Sequence, residues 1–173
     1  ALTNGAAGSA RFYRPRGIAL FKNVLFIADS GNDAVRRFLL TDSKVETLAG
    51  GNGPGTTNGA AATAKLTDPY GLCVVEPGVV YIVEKTSLLR KIDIATEQVS
   101  FVAGYHQDFD DGVGAEGQFH SPWSVAADGG GNLFIADRGN RAVRRISDGD
   151  NVTTALVSTR DVNFALVDAA ATV

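Results

Sequence analysis

An all-β fold of repeated four-stranded units is predicted by three observations. Twenty glycines are scattered through 173 residues, beside β-branched and aromatic side chains, which suits many turns between short strands rather than long helices. Residues 25–37 read LFIADSGNDAVRR and residues 133–145 read LFIADRGNRAVRR, identical at 11 of 13 positions. A third, divergent copy lies between them: residues 80–84 replace LFIAD and residues 88–92 replace AVRR with its following apolar residue, in a loop one residue shorter. Prolines 15, 69 and 122 mark the units at intervals of 54 and 53, each three residues after an apolar Phe12, Leu66 or Phe119. A period this uniform means one structural unit repeated three times.

Each unit divides into four short strands, which in the first copy are expected at 17–21, 24–28, 34–40 and 45–49. Residues tolerant of positive φ separate the first two strands, as in residues 128–132 (DGGGN) of the third unit. The turn at 29–33 (DSGND) separates the second and third. The closing strand is a β-rich run at 45–50, 99–104 and 152–157. Residues 24–28 (VLFIA) are apolar throughout instead of alternating, which requires neighbours on both faces of the sheet. Units of this length with four antiparallel strands are the signature of propeller blades, here at about 12–50, 66–104 and 119–157. Alternation at Val162, Phe164 and Leu166 makes 159–173 an extra strand or the start of a further blade.

The recurring Pro-x-Gly-Ile-Ala, Leu-Phe-Ile-Ala-Asp-x-Gly-Asn, Val-Arg-Arg and Thr-Leu-Ala-Gly segments, joined by Gly-rich linkers, resemble the NHL-repeat β-propellers. The resemblance runs from about residue 5 to 157, and the middle copy lacks the Gly-Asn pair. It implies a ring that is commonly six-bladed, of which three blades are half. An unclosed half would expose two apolar faces, so either two chains associate head to tail or further blades belong to a longer sequence. The chain has no methionine, so a removed leader or an excised piece is expected.

Several readings are disfavoured by composition. Sixteen Lys and Arg against 19 Asp and Glu give a net charge of −3, without the cationic excess of a dedicated nucleic-acid binder. No apolar run approaches the roughly 18 residues of a membrane-spanning helix, so no membrane partner is expected, and the compartment is not indicated. One cysteine, Cys73 in the run LCVV, excludes an internal disulfide and reads as a buried, inert thiol. Two histidines, His106 and His120, fall short of the three ligands a catalytic zinc needs, and no G-x-S-x-G elbow is present. Residues 50–55 (GGNGPG) lack the following Lys-Ser/Thr and read as a flexible loop. Asp108, Asp110 and Asp111 resemble the start of a calcium loop, but position twelve is Phe119, so a solvated acidic turn is expected. No cofactor, metal site or catalytic residue is assigned. The sequon at Asn151 says little about compartment.

Asp29, Glu84 and Asp137 close the second strand of each unit and can accept turn amides or pair with a third-strand arginine, a structural role. The pairs Arg36-Arg37, Arg90-Lys91 and Arg144-Arg145 point to two faces, toward inter-blade ion pairs and solvated edges. Function is expected where loops surround the channel. The residue after each proline differs, Arg16, Tyr70 and Trp123, as an asymmetric ligand would require, and beside them the turns offer Lys85, Arg138 and Arg141. These six form the candidate binding set of a non-enzymatic scaffold for a protein or peptide. The alternatives are a lyase-type or hydrolase-type enzyme or small-ligand binder at the channel, and single-stranded RNA binding by stacking on the aromatics.

Overall fold

Each repeat folds as one antiparallel sheet. In the computed structural model, which describes residues 2–147 and 149–157, the first sheet comprises β1 (Gly5–Ala6), β2 (Pro15–Phe21), β3 (Val24–Asp29), β4 (Ala34–Leu39) and β5 (Lys44–Gly50). The second comprises β6 (Gly59–Ala60), β7 (Pro69–Val75), β8 (Val79–Glu84), β9 (Leu89–Asp93) and β10 (Gln98–Ala103). The third comprises β11 (Gly112–Val113), β12 (Pro122–Ala127), β13 (Leu133–Asp137), β14 (Ala142–Ser147) and β15 (Asn151–Val157). Four strands per unit form as the sequence predicts, and the structure adds a fifth. In each sheet a two-residue strand from the preceding linker pairs with the outermost strand, in the order β1-β5-β4-β3-β2 and its equivalents. The expected strand within 159–173 lies outside the described residues.

The innermost strands sit side by side, β2 against β7 and β7 against β12, as blades around an axis do. Between the first two blades Phe26, Val35 and Leu48 pack against Leu66, Ile82 and Ile92. Between the second and third, Val83, Leu89 and Val102 pack against Phe119, Ile135 and Ile146. Each such side chain, fully buried, contributes about 1.5–3 kcal/mol. The continuously apolar β8 thus serves two faces, with Val80 and Ile82 in the first core and Val83 and Tyr81 in the second, whereas β3 meets a neighbouring blade on one face only. Among the described residues the outermost faces have no neighbouring blade. Ile18 and Leu20 are 65% and 64% exposed, whereas Leu72 and Val125, the equivalents of Ile18, are buried. At the other end Leu156 is 42% exposed where its equivalents Ala49 and Ala103 are buried.

A buried ion pair repeats in every blade. Asp29 meets Arg36 at 2.9 Å, Glu84 meets Arg90 at 3.2 Å and Asp137 meets Arg144 at 3.2 Å, all six side chains at 0–1% exposure. The first member of each basic pair is therefore an internal clasp, not the inter-blade or edge group the alternation suggested; β4 is covered on that face by the linker. Arg37, the second member, does bridge blades, to Glu97 at 3.1 Å. Each clasp also anchors the loop before its blade. The carboxylates accept the amides of Tyr13, Thr67 and His120 at 2.7–2.8 Å. The guanidiniums donate to the carbonyls of Thr3, Thr57 and Asp110, and to the side-chain oxygens of Asn4, Asn58 and Asp111.

Two sequence readings change as a result. Asp111 is exposed, as an acidic turn requires, but it is not free: it accepts from Arg144 at 2.6 Å and from Thr154 at 2.9 Å. The glycine-rich 50–55 stretch is not a free loop, because the Gly55 amide donates to Leu66 O and Thr67 Oγ1. Cys73 is half-buried rather than fully buried, and desolvation pushes its thiol up to about 12, which keeps it protonated and unreactive.

Removing one side of a clasp leaves a buried, uncompensated charge, so Asp29→Ala is expected to cost about 3–5 kcal/mol in a urea melt. Asp33→Ala, on the partly exposed turn beside it, is expected to cost far less. The middle clasp adds a pH dependence. Burial pushes the Glu84 carboxyl up to about 7, with Arg90 and the Thr67 amide acting in the opposite direction. A folded-state value above the unfolded one means the native chain binds the extra proton between the two. Its contribution is complete at or below the ordinary carboxylate range and is lost as pH rises through about 7. Melting temperature should therefore fall from pH 5 to 8, and Glu84→Gln should flatten that slope.

Candidate functional site

Three residues, one per blade, converge at one end of the inner strands. Each begins from the same local device. Arg14, Asp68 and Ser121, immediately before the prolines, take left-handed conformations with φ of 52°, 47° and 50°, turning the linker sharply into the inner strand. Two residues past the first two of these proline junctions stand Gly17 and Gly71, and both are required to lack a side chain. A Cβ on Gly17 would lie 2.6 Å from Tyr70 O, and one on Gly71 would lie 2.6 Å from Ser124 Cα and 2.8 Å from Trp123 O. Backbone on both sides leaves no room to yield. The inner strands therefore approach closely, and the side chains just before these glycines are pressed together.

The outcome is a continuous stack. The Tyr70 and Trp123 rings lie 4.8 Å apart, inclined at 51°. The Arg16 guanidinium sits 4.2 Å from the Tyr70 ring and 5.2 Å from the Trp123 ring, and Arg138 approaches the same indole at 5.3 Å. Trp123 remains 44% exposed, and Arg16 and Arg138 are exposed. Tyr70 is half-buried and packs partly against the second core. Four of the six sequence-predicted residues are thus brought together across three blades. Lys85 is engaged otherwise, with Nζ 3.9 Å from the Asp68 carboxylate. Arg141 is exposed on the turn that follows Arg138.

The arginines of this site differ from those of the blades. Arg36, Arg90 and Arg144 each pair with a buried carboxylate and donate through both terminal nitrogens to linker or carboxylate oxygens. Among the described residues, the side chains of Arg16, Arg138 and Arg141 pair with no carboxylate and donate no hydrogen bond. Stacking holds the first two against an aromatic face and leaves their N–H edges free.

Sequence reasoning missed the residues that lock one blade to the next. Asp33 Oδ1 accepts the Asp68 amide at 2.8 Å, and Ser87 Oγ accepts the Ser121 amide at 3.3 Å. Ser30 Oγ donates to the Pro69 carbonyl. The available signal was the last residue of the turn, Asp33, Ser87 and Arg141, which is left-handed in all three blades. In the third blade Arg138 stands where the first has Ser30, and Arg141 where it has Asp33. A guanidinium cannot accept, so this edge carries no equivalent hook.

Elsewhere, a cleft of about 260 Å³ opens between the second and third blades, lined by Thr56, Asn58, Leu88, Phe101 and Tyr105. Among the described residues no group of three or more His, Cys, Asp or Glu side chains is arranged to hold a metal ion. His106 packs edge-on against Tyr105 at 5.0 Å, and the His120 amide donates to the Asp137 clasp.

Three blade-like sheets around a shared inner edge define a β-propeller segment. Comparison with known proteins gives its type. The chain is 28% identical over 157 residues to the chloroplastic Protein SUPPRESSOR OF QUENCHING 1 of Arabidopsis thaliana, covering 84% of this chain and 15% of that one. It is 32% identical over 108 residues to NHL repeat-containing protein 2 of Bos taurus, covering 60% and 15% respectively. Its repeats are similar to those of NHL repeat-containing proteins. No family model matches. Among solved structures, a protein of unknown function from Bacteroides thetaiotaomicron aligns with a TM-score of 0.61 at 28% identity, over 75% of this chain and 31% of that one. An auxiliary nutrient binding protein from Bacteroides ovatus gives 0.62 at 19% identity, over 76% and 35%. A gluconolactonase from Xanthomonas campestris gives 0.63 at 15%, over 86% and 48%. The last two likenesses concern the fold alone. The chain spans about 15% of the length of these curated relatives and from about a third to a half of these solved chains.

Proposed function

We propose that this propeller segment is a non-enzymatic binding scaffold that presents the Arg16–Tyr70–Trp123–Arg138 stack to a protein or peptide. One observation carries the reading. Repeat-equivalent positions are occupied by chemically different residues in each blade, and they meet in a single exposed stack. Aromatic and arginine anchors of this kind dominate protein-binding hot spots. A structural purpose would be served by identical residues, as the clasps show.

Because Tyr70 also packs on the core, Trp123 is the cleaner residue to remove. Peptides enriched from a random library on the immobilised chain should lose at least tenfold in affinity for Trp123→Ala, with far-UV circular dichroism and melting temperature preserved. Enrichment indifferent to Trp123 would place the binding surface elsewhere.

The open faces call for further blades, from additional sequence or from a second copy. The second copy is the less favoured source. Head-to-tail closure would bring Arg138 and Arg141 beside Arg14 and Arg16 of the other molecule, where the two observed interfaces place hydrogen-bonding Ser and Asp. Ser124 would also stand where Gly17 and Gly71 permit close approach. Light scattering should show no plateau at twice 18.1 kDa over a hundredfold dilution. A stable mass at that value would instead establish a closed ring of two chains.

A further inference from the structure

The chemistry of the third blade's edge narrows what the stack receives. This inference rests on the binding-scaffold reading above and specifies its ligand. Two independent features bear on it. The first is the set of uncommitted guanidiniums: among the described residues the side chains of Arg16, Arg138 and Arg141 have no counter-ion and donate no hydrogen bond, whereas Arg36, Arg37, Arg90 and Arg144 pair with carboxylates and Arg11 and Arg145 donate to amide oxygens; Arg14, over the Tyr13 ring, is similarly uncommitted. The second is the replacement of the blade-to-blade hook. Where Ser30 and Asp33 grip the next blade, the third blade offers Arg138 and Arg141, two donors where one donor and one acceptor would be needed.

We infer that this edge binds an acidic peptide segment, with carboxylates bridging the N–H edges of Arg16 and Arg138 while the peptide backbone or an apolar side chain rests on Trp123. Stacking fixes both guanidinium planes before the ligand arrives, so little side-chain entropy is lost when a carboxylate pairs with either. Carboxylates two residues apart on an extended peptide are separated by roughly 7 Å, a spacing suited to two guanidiniums that share one indole. A polyanionic backbone such as RNA fits less well. RNA would lay one negative charge per nucleotide along a chain whose net charge is −3, whereas two carboxylates meet two free guanidiniums one for one.

The single tryptophan of the chain lies in the stack, so its fluorescence reports binding directly. A decapeptide alternating Glu and Gly would be titrated against the chain, beside the Gln-Gly peptide and a decameric oligouridylate. The key variant is the double substitution Arg138→Ser with Arg141→Asp, which installs the first blade's own turn residues and so keeps a turn this fold already builds. The expected result is saturable binding of the Glu peptide at least tenfold tighter than the Gln peptide, lost in the double variant and in Arg16→Gln. The melting temperature should stay unchanged in both. Equal binding of the Glu and Gln peptides, with both lost in Trp123→Ala, would overturn the acidic specificity and leave the scaffold reading intact. No saturable signal up to millimolar Glu peptide, or tighter binding of the oligouridylate, would also overturn it. Peptide binding that survives both Trp123→Ala and the double variant would overturn the scaffold reading as well.

Discussion

The buried carboxylate–arginine clasp is the interaction on which the rest of the structure depends. A pair of charges removed from water is costly unless the partners find further hydrogen bonds, and the terminal guanidinium nitrogens of each clasp do so with groups from the linker, although Nε of Arg36 and Arg144 stays unpaired. Arg36 reaches Thr3 and Asn4, Arg90 reaches Thr57 and Asn58, and Arg144 reaches Asp110 and Asp111. The clasp thus fixes where the linker lies, and the linker delivers the short outer strand to one side of the blade and the proline turn to the other. Hydrophobic contact between blades could be satisfied by several linker paths; satisfying the charges leaves one.

The candidate site is a by-product of that placement. Once the left-handed residues at 14, 68 and 121 direct the chain into the inner strands, Gly17 and Gly71 let neighbouring backbones come within a distance that any side chain would forbid. Arg16, Tyr70 and Trp123 then have no choice but to touch. A rigid frame therefore holds a variable surface, which is how repeat proteins commonly separate stability from recognition.

Symmetry fails at one edge, and that failure is chemically coherent. The first two blades end their turns in residues that accept an amide from the next blade, while the third ends in arginines and carries Ser124 in place of glycine. The substitutions all act against close packing of another identical edge, and all leave cationic donors beside an exposed indole. A further blade meeting this edge would have to do so through contacts other than the ones that join the first three.

Much of this was legible in the sequence. Eleven identities in 13 positions, with prolines at intervals of 54 and 53, determined the blades and most strand limits, because a period of that length encodes one sheet per repeat. The non-equivalence of Arg16, Tyr70 and Trp123 marked them as a candidate set for the same reason. What the sequence did not disclose is burial, and which long-range partners most residues would find. Pairing of Asp29, Glu84 and Asp137 with a third-strand arginine was legible, but alternation along β4 puts Arg36 and Arg37 on opposite faces without saying which face the linker covers, so the burial of the clasp was not. Asp111 looked like part of an acidic turn because its partner, Arg144, is 33 residues away. Likewise the contacts of Arg16 and Tyr70 with Trp123 depend on how closely separate blades approach, whereas those of Arg138 with Trp123 and of Lys85 with Asp68 follow from strand pairing inside a single blade. Periodicity is a local property and is written in the chain; long-range pairing of charges and backbones is decided only when the sheets assemble.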